Sequence, residues 1–393
     1  MLKSKLYYYL MLPFFFPNVG FNLFSFDVSP FPMISALIIL SIESKNYPKI
    51  LYYLWIPAFF SFPIILMTYE DWPYFVRLIG VYFSVPLISI ACYKSICSGV
   101  DVGKLSKNVI YISFIAGLAQ KFISTDVFSN LLHSRSTESR GYSSLYSEPS
   151  FFGMATLMFL LIYIISNIKI GKRCDWKPLF VGLLSIFMLS QSAISILILL
   201  VVSLLYCLLD LNRRNIIILI FWAVLLVMVL SLVVEETGSR TLNIINMFIN
   251  SPQDILLIDA SISERVMHIY LSIKGSINNY FMPSGFYKFI EIINNEMLVN
   301  EFFWWGESTN KIMSGIGSAL FEIGIISLIT PLVFISLAYK NNFNFNMLVL
   351  TSLLPILIYA NAINFASPYF SILIGLLAFN LRGVDSKIFV KKF

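Results

Sequence analysis

The 393-residue chain is 58% hydrophobic, 16% aromatic and only 12% charged, with formal net charge +6 and mean hydropathy +0.81. A soluble domain carries about 25% charged residues, so this composition excludes a water-soluble body and reads as an all-α polytopic integral membrane protein, a single membrane domain over 1–393. The charges are spread between apolar runs, which excludes a nucleic-acid surface. Cys92, Cys97, Cys174 and Cys207 have no metal-type spacing, His133 and His268 make no zinc site by themselves, and no Gly-rich phosphate loop is present.

A bilayer core needs about 20 apolar residues in helix. Twelve segments answer to that description, some short or broken by proline: 6–25, 29–43, 49–69, 74–93, 107–123, 148–168, 178–191, 192–209, 215–234, 313–339, 346–361 and 365–381. Lys3 and Lys5 precede a run that leads straight into further spans, so no cleavable leader is expected. Prolines 13, 57, 63, 86 and 355 predict kinks, and Ser190-Gln191-Ser192 predicts a polar turn that divides 178–209.

Twelve spans put both termini in the cytoplasm. The segments then assigned inside hold 18 of the 27 basic residues and five of the 21 acidic ones, the positive-inside pattern. Two outside loops are substantial, 124–147 and 235–312, and the second is long for a connector. Within it, Ile262, Val266, Ile269, Ile273 and Ile277 recur at helical spacing, while Ser261, Arg265, His268 and Ser272 fall on another face. This predicts an amphipathic helix lying on or capping the membrane domain, its polar stripe solvated.

Three constellations are candidates for chemistry. In the first outside loop, Arg135, Arg140, Tyr142 and Glu148 precede Pro149. Proline suits the first position of a helix, which makes Glu148 the N-cap. Arginine forks beside a helix N-terminus suit an anion; equally, the arginines meet lipid headgroups and Glu148 only caps. The second constellation is Arg265 with His268, a solvated face or a site, with His268 read as a structural histidine before a catalyst. The third is Glu307 through Lys311, followed by the small residues Ser314-Gly315-Ile316-Gly317-Ser318 and by Glu322 inside an apolar run, for which Arg77 is either a partner or a side chain that snorkels outward. Trp304-Trp305 and Tyr7-Tyr8-Tyr9 read as interface markers.

Arg140-Gly141 followed by Ser147-Glu-Pro-Ser-Phe-Phe-Gly153 at the start of a span, with many apolar spans and one large late loop, resembles the O-antigen polymerase (Wzy) family. That family stands within the bacterial polysaccharide polymerase and O-antigen ligase group. Ala260-Ser-Ile-Ser-Glu264-Arg265 leading to Pro283-Ser-Gly285-Phe286 is similar to the group's large periplasmic loop, and Ser318-Ala-Leu-Phe-Glu322-Ile-Gly324 to the helix after it. The histidine that ligases carry at the end of that loop is replaced here by the Asn310-Lys311 region, which favours polymerase over ligase.

The resemblance implies about twelve helices in a GT-C-like glycosyltransferase membrane fold, in the bacterial inner membrane. It implies transfer of a nascent glycan from undecaprenyl diphosphate to the non-reducing end of an incoming lipid-linked repeat unit, yielding O-antigen or a related surface polysaccharide. Glu148, Arg140 and Arg265 would be catalytic, with Arg135, Tyr142, His268, Lys311 and Glu322 around the substrate. No metal or cofactor is implied. The partners are the lipid-linked glycans and membrane lipids, with a chain-length regulator as a further one. The competing functions are a lipid-linked oligosaccharide flippase or other transporter, and an O-antigen ligase.

Overall fold

The computed structural model describes residues 2–20, 28–43, 46–68, 72–132, 141–170, 174–209, 247, 250–251, 255–300, 302–303, 305, 311–361 and 363–390. Every regular element among them is helical. They are α1 (Leu2–Phe15), α2 (Phe31–Ile42), α3 (Trp55–Thr68, entered through the 3-10 turn Lys49–Leu54), α4 (Trp72–Cys97), α5 (Val102–Phe122), α6 (Pro149–Ile170), α7 (Trp176–Leu184) and α8 (Ala193–Leu208). After these come α9 (Ile255–Ile258), α10 (Ala260–Asn278), α11 (Phe289–Met297), α12 (Gly315–Ile323), α13 (Ile329–Lys340), α14 (Phe345–Asn361) and α15 (Tyr369–Val390).

Four helical stretches are long and apolar enough to cross a membrane: Lys49–Thr68, Phe75–Cys97, Pro149–Ile168 and Gly315–Lys340. Five shorter apolar helices accompany them. The chain is a helical, membrane-embedded protein. The first expected span, 6–25, is shorter in the structure: α1 ends at Phe15 and Pro17 follows, a residue that cannot supply the next helical N–H. The expected span 215–234 lies outside the described residues.

Local signals start the helices. Asp101, Asp175, Ser192, Asp259 and Ser314 each precede a helix and accept a backbone N–H of its first turn. The polar turn at Ser190–Ser192 is where the chain breaks: α7 runs into a π-helical turn at Ser185–Ser190, Gln191 takes φ 47°, and α8 begins. Helices pack through small residues, as expected where lipid gives no hydrophobic drive to associate. At Gly375, where α15 runs along α4, a Cβ would lie 2.6 Å from the Ser89 carbonyl oxygen.

The helix ends sort into two sets. At one end, buried Glu43 accepts from Ser98 (2.7 Å) and pairs with Lys3 (3.1 Å), while Lys94 donates to the Glu43 carbonyl oxygen (2.6 Å). Lys107 meets Asp175 (3.3 Å) and Arg382 meets Cys97 (3.4 Å) at ends of further helices. At the other end, Asn18 reaches Ser147, Tyr142 N–H reaches the Leu189 carbonyl, and Arg265 reaches Ser150.

The expected span 313–339 is not one straight helix. It breaks at Gly324, which takes φ 72° and opens the 3-10 turn Gly324–Leu328. The break frees two carbonyls and an N–H, and the chain at 281–285 satisfies them: Ser284 N–H donates to Phe321 O (2.9 Å), Gly285 N–H to Glu322 O (3.2 Å), and Phe281 O accepts the Ile325 N–H (3.0 Å). A Cβ at Gly324 would fall 2.5 Å from Phe281 O, in a backbone conformation that side chains avoid. Gly324→Ala is therefore expected to cost about 1–3 kcal/mol. Thermal unfolding in detergent should show a drop of several degrees. Gly80→Ala, inside α4 where a Cβ meets open space, is the control that should not lower the midpoint.

Candidate functional site

The segment 141–148 is built onto α5 by hydrogen bonds. Gly141 (φ 87°) lies so close to the Ser190 turn that a Cβ would sit 2.4 Å from the Ser190 carbonyl oxygen. Ser144 takes φ 55°, unusual for a side-chain-bearing residue. Gln120 holds it there: its Oε1 accepts the Ser144 N–H (2.6 Å) and its Nε2 donates to the Ser144 carbonyl (3.2 Å). Ser144 Oγ donates to the Ser113 carbonyl (2.6 Å), and Tyr146, fully buried, stacks on Phe152. The chain leaves this platform at Glu148, whose carbonyl accepts the Phe152 N–H and so opens α6. Glu148 stands at the N-cap position with Pro149 next, as the sequence predicts.

At that point three distant segments converge. Ser150 Oγ donates to Glu148 Oε2 (3.2 Å) and accepts from Arg265 Nη2 (3.1 Å). A hydroxyl has one donor and two acceptor positions, so Ser150 serves both neighbours at once. Glu148, Arg265 and Lys311 line one cleft, together with Asn18, Asn364, Ser367 and Tyr369. The cleft opens to the outside of the protein. It presents two cationic side chains, one carboxylate and several neutral polar groups. That set can hold an anion of spread charge beside a hydroxyl.

His268 stands behind the wall. It is fully buried, its ring meets Phe289 edge to face, and its Nδ1 accepts the Met313 N–H (2.9 Å). The proton of the neutral ring therefore sits on Nε2, which has no hydrogen-bond partner among the described residues. Burial first, and then the positive charge of Lys311, push the His268 pKa down to about 4. The histidine thus stays neutral and fixes the segment carrying Lys311 and Met313. This corrects the expectation of a solvated polar stripe at 261–277: His268 and Ser272 are both fully buried. Their face of α10 packs against α12, where a Cβ at Gly317 would lie 2.3 Å from Ser272 Oγ.

The remaining expected residues divide. Tyr142 packs against the hydrophobic core and is absent from the cleft lining. Glu322 lies away from the cleft, takes a short hydrogen bond from Tyr82, and feels the Arg77 charge, the partner the sequence offered. Arg135 and Arg140 lie outside the described residues. Ser150, Asn18, Asn364 and Gln120 escaped the sequence reading as site or scaffold residues. Ser150 had a signal, standing within the first turn that Glu148 caps; the others are single polar residues among apolar ones, whose partners lie far along the chain.

Comparison with protein families finds no match, and neither does comparison with curated proteins.

The histidine gives a pH test. Its pKa is near 6.5 unfolded and about 4 folded. Between those values the unfolded chain binds a proton that the folded chain does not, so stability falls as pH drops from about 6.5 to 4 and is fully kept above that window. The thermal midpoint of the wild type should decline across it, and His268→Gln should flatten the decline. Parallel slopes for the two proteins would remove His268 from the effect.

Proposed function

We propose that the chain is a glycosyltransferase that polymerises polyprenyl-diphosphate-linked repeat units, as its resemblance to the O-antigen polymerase family implies. The observation that supports this best is that Glu148, Arg265 and Lys311, from three separate segments of the chain, line one open cleft, with the Ser150 hydroxyl bonded to both Glu148 and Arg265. In such a transfer the bond between the donor sugar and its diphosphate breaks as an acceptor hydroxyl attacks. The diphosphate leaves with added negative charge, and the acceptor oxygen loses a proton. Arg265 and Lys311 are suited to the leaving charge, Arg265 through its planar fork. Glu148 is suited to accept the proton or to orient the hydroxyl. Ser150 ties the two functions together at fixed separation.

On this reading the cleft faces the periplasm, and the end built around Glu43 faces the cytoplasm. That assignment follows the charge pattern of the sequence. A cysteine at Ser251 should then be modified in intact cells by a membrane-impermeant thiol reagent, and one at Ser386 should not. Labelling of the second in intact cells would reverse the orientation.

The chemistry is tested by Glu148→Gln in cells lacking the native gene. A cap requires only a side-chain oxygen, so Gln keeps the fold; loss of a general base slows a reaction about 10²–10⁴-fold. The variant should insert at wild-type level and leave single-repeat glycan on a gel. Wild-type polymer from Glu148→Gln would reduce Glu148 to a cap. Arg265→Lys should be impaired as Arg265→Ala is, because a point charge does not replace a two-pronged donor. The deletion itself separates the classes: loss of a polymerase leaves single-repeat glycan, whereas loss of a flippase leaves none.

A further inference from the structure

α10 has a mixed inward face, with buried Met267 and Leu271 among polar side chains. Its polar Ser263, His268, Ser272 and Ser276 are all 0% exposed, packed inward. Its apolar Val266, Tyr270, Ile273 and Ile277 are 40%, 42%, 41% and 53% exposed, along one outward stripe at spacings of four, three and four. On a water-facing helix such an outward stripe would be polar.

We propose that this stripe is covered by the acyl chains of the bilayer, so that α10 is a lipid-facing wall of the cleft and not part of a water-exposed loop. Four observations support it together. First, α10 meets its neighbours closely through small residues: a Cβ at Gly275 would lie 2.7 Å from Ile292 of α11 and 2.8 Å from Phe321 of α12, and Ser272 fills the space beside Gly317. That is the packing of helices in lipid. Second, the turn after α10 leaves no backbone donor to water. The N–H groups of Asn279, Tyr280, Phe281, Met282, Ser284 and Gly285 all donate to protein carbonyls, and the intervening Pro283 has none to place. Irregular backbone near hydrocarbon must satisfy itself in this way.

Third, the tip of that turn exposes Tyr280, Phe281 and Met282, which extend the apolar stripe. Fourth, the stripe is continuous with the surface of the spanning helices. Phe281 O accepts the N–H of Ile325, itself an exposed residue inside the apolar stretch Gly315–Lys340. A Cβ at Gly285 would touch Thr68, next to exposed Met67 at the end of another such stretch. The one lysine on the helix, Lys274, is paired with Glu296.

Spin labels test the occupant directly. Cys92 and Cys207 are buried, so replacing Cys97 and Cys174 leaves a chain in which single cysteines at 266, 270, 273 and 277 can be labelled. The protein is reconstituted in phosphatidylethanolamine–phosphatidylglycerol bilayers. At all four positions collisions with oxygen should exceed those with a water-soluble nickel chelate, and a label at the exposed Glu291 of α11 should show the reverse. Nickel exceeding oxygen at the stripe would place it in water and overturn the proposal. Low accessibility to both would place a second copy of the chain on it, and would overturn the proposal equally. Four independent positions guard against one substitution that perturbs the fold.

Discussion

Within an apolar bundle a polar group is driven to find a partner in the protein, because an unpaired one costs about 1–3 kcal/mol and no water is at hand to relieve it. The candidate site stands on that constraint. Ser144 is held in a left-handed conformation that costs about 1–3 kcal/mol, and three hydrogen bonds to Gln120 and Ser113 offset the cost. All three residues are buried. Their satisfaction fixes the path of 141–148, which in turn delivers Glu148 to the head of α6. The carboxylate is positioned by an amide one helix away that never touches the cleft.

The same physics gives the molecule two clusters of charge with different uses. Glu43 is 3% exposed and is enclosed by Lys3, Ser98, Tyr7 and the Lys94 ammonium at its own carbonyl. Its acceptor positions are engaged by the protein, so it works as a staple joining α1, α2 and α4. Glu148 and Arg265 are also bonded, but they line an open cleft with Lys311. A staple and a site can share residue types; access to the ligand side separates them.

Much of the fold is legible in the sequence because a membrane helix needs a long apolar run and a local start signal. The runs at 49–69, 74–93 and 148–168, the Asp and Ser caps, and the polar turn at 190–192 all lie within one window of chain. What is not legible depends on partners far away. Gly324 looks like any small residue in an apolar stretch; its break follows from Phe281 O approaching it from the other side of a loop. Gln120 is one amide in an apolar helix until Ser144 folds over it. The stripe in 261–277 is visible as periodicity, but periodicity gives two faces and no sign. Which face turns inward depends on whether the surroundings are water or hydrocarbon. For the site, Glu148, Arg265 and Lys311 come from the sequence, while the Ser150 hydroxyl between two of them required the fold.

The sign of that face matters to the proposed chemistry. A polyprenyl-diphosphate substrate joins a charged head to a long hydrocarbon tail. Moving the tail through water costs about 0.8 kcal/mol per CH₂, so exposing ten carbons costs about 8 kcal/mol, more than a few hydrogen bonds at the head return. A cleft walled off by water-exposed protein would impose that cost at every transfer. α10 removes it if its outer stripe is in lipid. Arg265 then lies beside Val266 on one helix, the guanidinium on the cleft side and the apolar side chain toward the hydrocarbon. The head can reach the cations while the tail remains in the bilayer. The buried serines and His268 are what allow this, since they move the polar groups of α10 to the protein side, where α12 and the Met313 N–H receive them.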